Sequence, residues 1–355
     1  MKQKLAVFPY NNEVSSLWQY SDLLQDFEIK KLIAPKGWGL TGQNIKVELN
    51  NQTINLSIQD NLSESEYDLI DAIWITEEIN KMNKEVAIEL LNKLFYSEKK
   101  IVYTYGICSE LREFIADTGR SIDLSEFHKI KKELSPSYHS YSIDVPVVMV
   151  IGTSIMTEKF DLQLSIRRKL QNMGYKISQV GSKSFCEFFG FHSIPAWFFG
   201  QKYSEADKIS MFNMFLRYIE IEEKPDIIII GIPEGIMPLT KKHHFNYGIF
   251  AFEICCAVSP DYTILTLPYG EYNDEFYTEM KNLCQYRLNV TLDSFYVSRY
   301  QPISNSLTKP NLEFTWSKGI VPIAEKQKVF SKVDDSFLTD HIVEKLSMYN
   351  QFQII

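Results

Sequence analysis

The sequence lacks every cysteine arrangement that builds a metal or iron–sulfur site. Its five cysteines stand at positions 108, 186, 255, 256 and 284. None forms a CxxC pair, a zinc-like spacing or the clustering that a radical iron–sulfur enzyme requires. An odd, scattered set of thiols fits a reducing compartment. Positive charge is also short: the formal net charge is −8, which disfavours a nucleic-acid or anionic-membrane surface. No run approaches the ~18 consecutive apolar residues that would span a bilayer. The apolar run at residues 5–8 is far too short for a signal peptide. Together these absences point to a cytoplasmic protein that touches neither nucleic acid nor membrane. The catalytic signatures Gly-x-Ser-x-Gly and His-Glu-x-x-His are missing as well, so neither a hydrolase elbow nor a zinc protease helix is expected.

What is present is an ordinary globular composition on a long chain. At 355 residues the prior is about two domains. Aromatic residues make up 14%, with 23 Phe and 20 Tyr, enough for large cores or for an adhesive groove.

Strand and helix patterns alternate along the first part. Residues 5–8 read as a buried strand ended by Pro9,. Val14, Leu17, Trp18, Leu24 and Phe27 fall at helical spacing, and residues 29–34 read as a second strand. The loop that follows carries Gly37-x-Gly39-x-x-Gly42 around Trp38. It matches the dinucleotide fingerprint letter for letter, but alternating residues 45–49 and 53–58 predict a β-hairpin after it. The helix N-terminus that would face a pyrophosphate is therefore missing. Further strands are expected over 69–75 and 101–105, with helices over 84–96 and from Ser109. This order predicts a Rossmann-like or flavodoxin-like parallel sheet with the hairpin inserted near 45–58. Ligands on such sheets sit at strand carboxyl ends, here Tyr10–Asn12, Glu77–Glu78 and Tyr105–Gly106, residues that caps and solvated loops also use,. Periodicity decays between residues 119 and 144, so the domains are expected to divide as 1–140 and 141–355.

The second part opens on a strand–loop–helix unit. Residues 147–151 are continuously apolar, Gly152 stops the run, and Leu162, Leu164, Ile166 and Leu170 mark a helix face ending near Gly174,. Residues 184–199 are dense in phenylalanine and hold His192 and Trp197, which predicts a satellite core or, failing that, a recognition groove. The four isoleucines at 227–230 predict a central parallel strand buried on both faces,. Helices are expected over 205–222, 247–257, 274–286 and 335–349, with strands over 175–181, 263–267 and 290–297. A second parallel α/β domain follows.

Within the opening unit, Gly152, Thr153, Ser154, Thr157 and Lys159 are the candidate phosphate-binding residues. The segment resembles the GT-x(4)-GK[ST] loop of P-loop proteins of the dethiobiotin-synthetase type. That resemblance implies a phosphate-reaching role for Lys159. Two departures bear on it: Glu158 replaces the second glycine and Phe160 replaces the magnesium-binding hydroxyl,. A carboxylate beside the loop repels phosphate, and phenylalanine ligates no metal. Gly231 stands where a metal-binding aspartate is expected, with Glu234 the nearest acid. The segment is thus expected to be a degenerate loop holding neither cofactor nor metal, with an Mg-bound nucleotide as the alternative.

Residues 34–42, 162–167, 173–181 and 223–235 resemble a family of clostridial peptide-maturation proteins, encoded beside radical-SAM enzymes and short ribosomal precursor peptides. The resemblance implies an accessory component of natural-product maturation that binds a precursor peptide or a radical-SAM enzyme, and supplies no catalytic residue. Trp38, Phe189, His192 and Trp197 are the candidate partner-binding residues. A nucleotide-dependent transferase or ligase using Lys159 is the second expectation, and a homodimeric scaffold the third. His243 and His244 are expected as a solvated pair, and Cys255 and Cys256 as packing.

Overall fold

A computed structural model describes residues 2–49, 52–127, 134–137, 139–309, 311–317, 319, 327–332 and 335–348. The chain forms two compact units: Met1–Lys129 with Ser184–Ala196, and Ile130–Lys183 with Trp197–Ile355. A stretch of the aromatic segment, residues 184–196, therefore belongs to the first unit.

The first unit is a mainly parallel sheet. Its strands are β1 (Gln3–Phe8), β2 (Phe27–Ile33), β3 (Asn44–Leu49), β4 (Gln52–Gln59), β5 (Ala72–Ile75), β6 (Lys100–Tyr103) and β7 (Ser121–Asp123), ordered β3-β4-β2-β1-β5-β6-β7. Only the expected hairpin β3–β4 is antiparallel. Gly37, Gly39 and Gly42 all have positive φ, from 72° to 91°, so the glycines shape a turn before the hairpin and the fingerprint serves no helix. The helical pattern over 14–27 yields only α1 (Ser16–Gln19) between two short 3-10 turns. Phe27 instead opens β2, drawn there by an edge-to-face contact with Phe188 at 4.9 Å,. A second short helix, α2 (Glu64–Tyr67), precedes β5.

Alternation along β5 explains how both faces of the sheet are covered. Ile73 and Ile75 join the core beneath α3 (Lys84–Phe95) and α4 (Ser109–Ala116), with Leu91, Leu94, Leu111 and Ile115. Val86, expected on that buried stripe, is 47% exposed. Trp74 points the other way and meets Phe185 and Phe188 at 5.3 and 5.0 Å. Residues 184–196, which include β10 (His192–Ser193), thus supply the second layer of this sheet. Within them Glu187 is buried and accepts from Ser193 N and Oγ at 2.8 and 2.7 Å.

Burial pushes the Glu187 carboxyl up to about 7. An acid whose pKa is raised by folding gives full stability below its unfolded pKa and loses it as pH rises toward the folded value. Between pH 4.5 and 7 the native state is therefore progressively destabilised. Glu187→Gln is expected to keep the acceptor for Ser193 and remove the charge, gaining about 1–2 kcal/mol at pH 8 and nothing at pH 4.5. Thermal melts at the two pH values read this, and equal gains at both would refute it.

The second unit is a parallel sheet of β8 (Val147–Gly152), β9 (Ile177–Gly181), β11 (Ile227–Gly231), β12 (Tyr262–Leu267), β13 (Ser294–Val297) and β16 (Val329–Phe330), ordered β9-β11-β8-β12-β13-β16. The isoleucine strand β11 is flanked by β8 and β9, as its unbroken apolar run requires,. Helices α5 (Lys159–Asn172) and α10 (Asp335–Ser347) cover one face through Leu162, Ile166, Leu170, Leu338 and Ile342. Gly174 follows α5 with φ +95°, the expected left-handed C′ residue,. The remaining helices are the short α6 (Ala196–Phe199), α7 (Glu205–Glu223), α8 (Ile249–Ala257) and α9 (Asp274–Leu288), and a small antiparallel pair joins β14 (Tyr300–Pro302) to β15 (Phe314–Trp316). Cys255 is buried with its Sγ 3.6 Å from Met149 Sδ, and burial pushes its thiol up, so it packs and stays inert,. Cys256 is exposed.

Candidate phosphate-binding site

The carboxyl ends of the second sheet gather charged side chains around the start of α5. Lys159 follows β8, Lys183 follows β9, Glu234 follows β11, Arg299 follows β13 and Lys332 follows β16. This is the edge at which open parallel sheets bind their ligands. Four cations at one strand edge stand out in a chain of net charge −8.

Gly152 ends β8 because a side chain there has no room: a Cβ would come within 2.7 Å of Thr266 Oγ1 and 2.9 Å of both Thr157 Oγ1 and Lys159 Cδ. The loop is then held from both sides. Thr153 N donates to Thr266 O at 3.1 Å, and Ile236 N donates to Gly152 O at 2.8 Å. Thr157 and Thr266 share a hydroxyl contact of 2.6 Å. Met156 and Glu158 both adopt left-handed backbone at φ +55°, and α5 begins at the next residue.

Of the five candidate residues, Gly152 shapes the loop while Thr153, Ser154, Thr157 and Lys159 are buried in it. Lys159 Nζ donates to Ser154 O at 2.6 Å and to Glu234 O at 2.7 Å. Burial, with Lys183 close by, pulls this amine down from 10.5 to about 7. The Ser154 hydroxyl is fully buried and has no hydrogen-bond partner among the described residues. Buried hydroxyls rarely stay unpaired, so this one marks a position where a further acceptor or donor fits.

Glu158 departs from its expected effect. Its carboxylate turns away to Arg299, accepting from the backbone N at 2.8 Å, Nε at 3.0 Å and Nη2 at 2.6 Å. Its charge is thereby compensated and does not repel an anion in the loop. Arg299 is held on its other side by Trp316, whose ring lies 5.6 Å from the guanidinium carbon,. Asp161, one turn into the helix, is pushed up to about 6, first by burial, with Glu158 adding to the rise and Lys332, Lys183 and Arg299 opposing it.

The residues do not fit a magnesium ion. Phe160 is buried where a hydroxyl ligand is needed. At Gly231 a Cβ would lie 2.1 Å from both amide heteroatoms of Gln163, so a neutral amide fills the place of an acid. Gln163 is itself fully buried and donates to Lys159 O at 3.0 Å. Glu234, the substitute acid, has left-handed backbone at φ +56° and a carboxyl pushed up by burial. Among the described residues no three His, Cys, Asp or Glu side chains form a metal-holding group.

The expected partner-binding residues differ in exposure and in the unit they belong to. Phe189 and His192 are each 1% exposed and serve the first unit's aromatic layer. Trp38 is half-buried in a 490 Å³ cavity of the first unit, beside Phe8, Met82, Val86 and Leu90. Trp197, in the second unit, is half-buried against Phe198 and Tyr203. The strand-end residues of the first sheet are engaged internally. Glu77 accepts from Thr104 Oγ1 at 3.0 Å and from Ser184 Oγ, Glu78 pairs with Lys81 at 2.8 Å, and Tyr105 donates to Ile194 O at 3.0 Å. The histidines at 243 and 244 are not a solvated pair. His243 is buried with Nε2 3.4 Å from Ser306 O, while His244 stacks on Tyr247 at 4.8 Å. Sequence reading missed Arg299 and Thr266, which lie 141 residues from Glu158 and 109 residues from Thr157 along the chain and meet the loop only in space; it also missed Gln163, one helical turn after Lys159, whose role shows only in its packing over Gly231.

No protein-family model matches the chain. No curated protein is similar enough to be a relative. Among solved structures, a DUF1611 family protein from Anabaena variabilis superposes with a TM-score of 0.53 at 11% identity, covering 83% of this chain and 88% of that one. A nucleotide-binding protein in complex with ADP from Archaeoglobus fulgidus matches with a TM-score of 0.33 at 10% identity, over 57% of this chain and 88% of that one. The likeness to the first of these is one of fold, a mainly parallel α/β architecture.

Proposed function

We propose that the second unit is a phosphate-binding module that holds a phosphate-bearing ligand, such as a nucleotide, without hydrolysing it. The observation that carries this is the Gly152–Lys159 loop: a buried lysine, an unpartnered buried serine hydroxyl and a helix N-terminus meeting at the carboxyl edge of a parallel sheet,. The same residues argue against turnover, because among the described residues none supplies metal ligands or a water-activating acid at β11,. The resemblance to peptide-maturation proteins adds a proposed setting, in which this module is the accessory component that meets a precursor peptide or radical-SAM enzyme.

Calorimetry with ADP tests the module, and the same titration with a purified precursor peptide tests the setting. The phosphate site also has a pH signature. Lys159 is charged below about 7 and neutral above, and only the ammonium attracts phosphate. ADP affinity is expected to fall between pH 7.5 and 9.5, approaching tenfold per pH unit. Affinity that stays level over this range, or no ADP binding at either end, removes Lys159 from the site.

A further inference from the structure

We propose that Arg299 is the phosphate ligand that takes the place of a divalent metal, and that Glu158 holds it in a resting state until an anion displaces the carboxylate. This rests on the phosphate-binding role of the loop and specifies its chemistry: the ligand is a diphosphate or nucleotide bound as the metal-free anion.

Four observations converge on this pair. Glu158 is the residue immediately before α5, and its carboxylate is 2% exposed while engaging three N–H groups of Arg299. Nε and Nη2 of Arg299 converge on the single oxygen Oε1 while the backbone N takes Oε2, and a phosphate oxygen accepts from the same guanidinium donors. Arg299 is one-third exposed, so an anion at the mouth of the loop reaches it without unfolding anything. Glu158 also keeps a left-handed backbone at φ +55°, a conformation that disfavours a side chain. Finally, the metal positions are filled by Phe160 and by the Gln163 amide over Gly231. Phosphate charge must then be met by side-chain cations, and Lys159, Lys183, Arg299 and Lys332 are the ones gathered at this edge.

Exchange of one anion for another on Arg299 makes no or breaks no covalent bond. The freed Glu158 carboxylate turns to solvent, while the guanidinium keeps its stacking on Trp316.

The test is calorimetry of the full chain with ADP and with pyrophosphate, each in EDTA and in excess Mg²⁺. Glu158→Gly suits the left-handed backbone and frees Arg299; it is expected to bind at least tenfold tighter than the unaltered chain. Glu158→Gln, which keeps the side chain's volume and weakens its hold, is expected to lie between. Arg299→Ala in the Glu158→Gly background is expected to remove the gain. Excess Mg²⁺ is expected to weaken apparent binding, because it sequesters the free anion, and never to strengthen it. Stronger pyrophosphate than ADP binding identifies a free diphosphate site, and the reverse a nucleotide site. If Lys159→Ala abolishes binding while the changes at 158 and 299 leave it unaltered, Arg299 is no ligand and the loop assignment stands. Binding that demands Mg²⁺ overturns the metal replacement. If no variant binds either probe, the phosphate module and this refinement fall together.

Discussion

Lys159→Ala is expected to weaken ADP binding by at least a hundredfold while leaving the fold intact. The lysine is the one buried cation within the loop, with its ammonium fixed by Ser154 O and Glu234 O. Hydrogen bonds to charged groups are worth about 1.5–3 kcal/mol each, and a buried charge opposite phosphate adds to that, so a hundredfold loss is a modest figure. Stability moves the other way at neutral pH. A lysine whose folded pKa lies at about 7, below its unfolded 10.5, carries its full penalty below pH 7. That penalty fades as pH climbs toward 10.5, because over this window the unfolded chain holds a proton the folded one lacks. The alanine variant removes the penalty, although it leaves two carbonyls without this donor. Melting at pH 6.5 is therefore expected within about 3 °C of the unaltered chain. A variant that still binds ADP normally refutes the role of Lys159, and one that unfolds at this pH refutes its independence from the fold.

Gly248→Ala is expected to destabilise the second unit by about 3–5 kcal/mol and to weaken ADP binding with it. Gly248 has φ +73°, and a Cβ there would lie 2.0 Å from the Ile236 carbonyl oxygen. That obstacle is backbone, which cannot rotate aside as a side-chain end can. Ile236 in turn donates to Gly152 O, so any shift passes directly to the phosphate loop. Phe245, Asn246 and Tyr247 also have positive φ, between 45° and 53°, and α8 starts only at Ile249 because these residues cannot join its right-handed turn,. The left-handed stretch already costs energy, so little remains to absorb a further clash. A fall in Tm of roughly 6–15 °C is the expected readout. Unchanged melting would mean that the 236–248 segment relaxes freely and is not coupled to the loop.

Much of the architecture was legible because it depends on local pattern. The unbroken apolar runs at 147–151 and 227–230 read as strands, the second buried on both faces, and they occupy the middle of the second sheet. The hairpin at 45–58 was visible as strict alternation, which also exposed the glycine fingerprint before it as a turn. Patterns misled where long-range packing overruled local spacing. Phe27 obeyed a helical period and went to a strand, because Phe188 supplies the surface that buries it,. The aromatic segment read as a satellite core under a long loop, yet its residues 184–196 belong to the first unit and cover Trp74 there.

By itself the sequence determined the class of fold, the position of the Gly152–Lys159 loop and the residue types in it, since these follow from periodicity and from which side chains are present. What Glu158 does was decided only by tertiary structure. As a letter in the loop it is a misplaced negative charge. Folding brings Arg299 beside it from the far end of β13, and the electrostatic sign of the site changes because a compensated carboxylate no longer repels what a bare one would,. The missing acid at Gly231 is resolved in the same way: only packing reveals that the buried amide of Gln163 stands in its space.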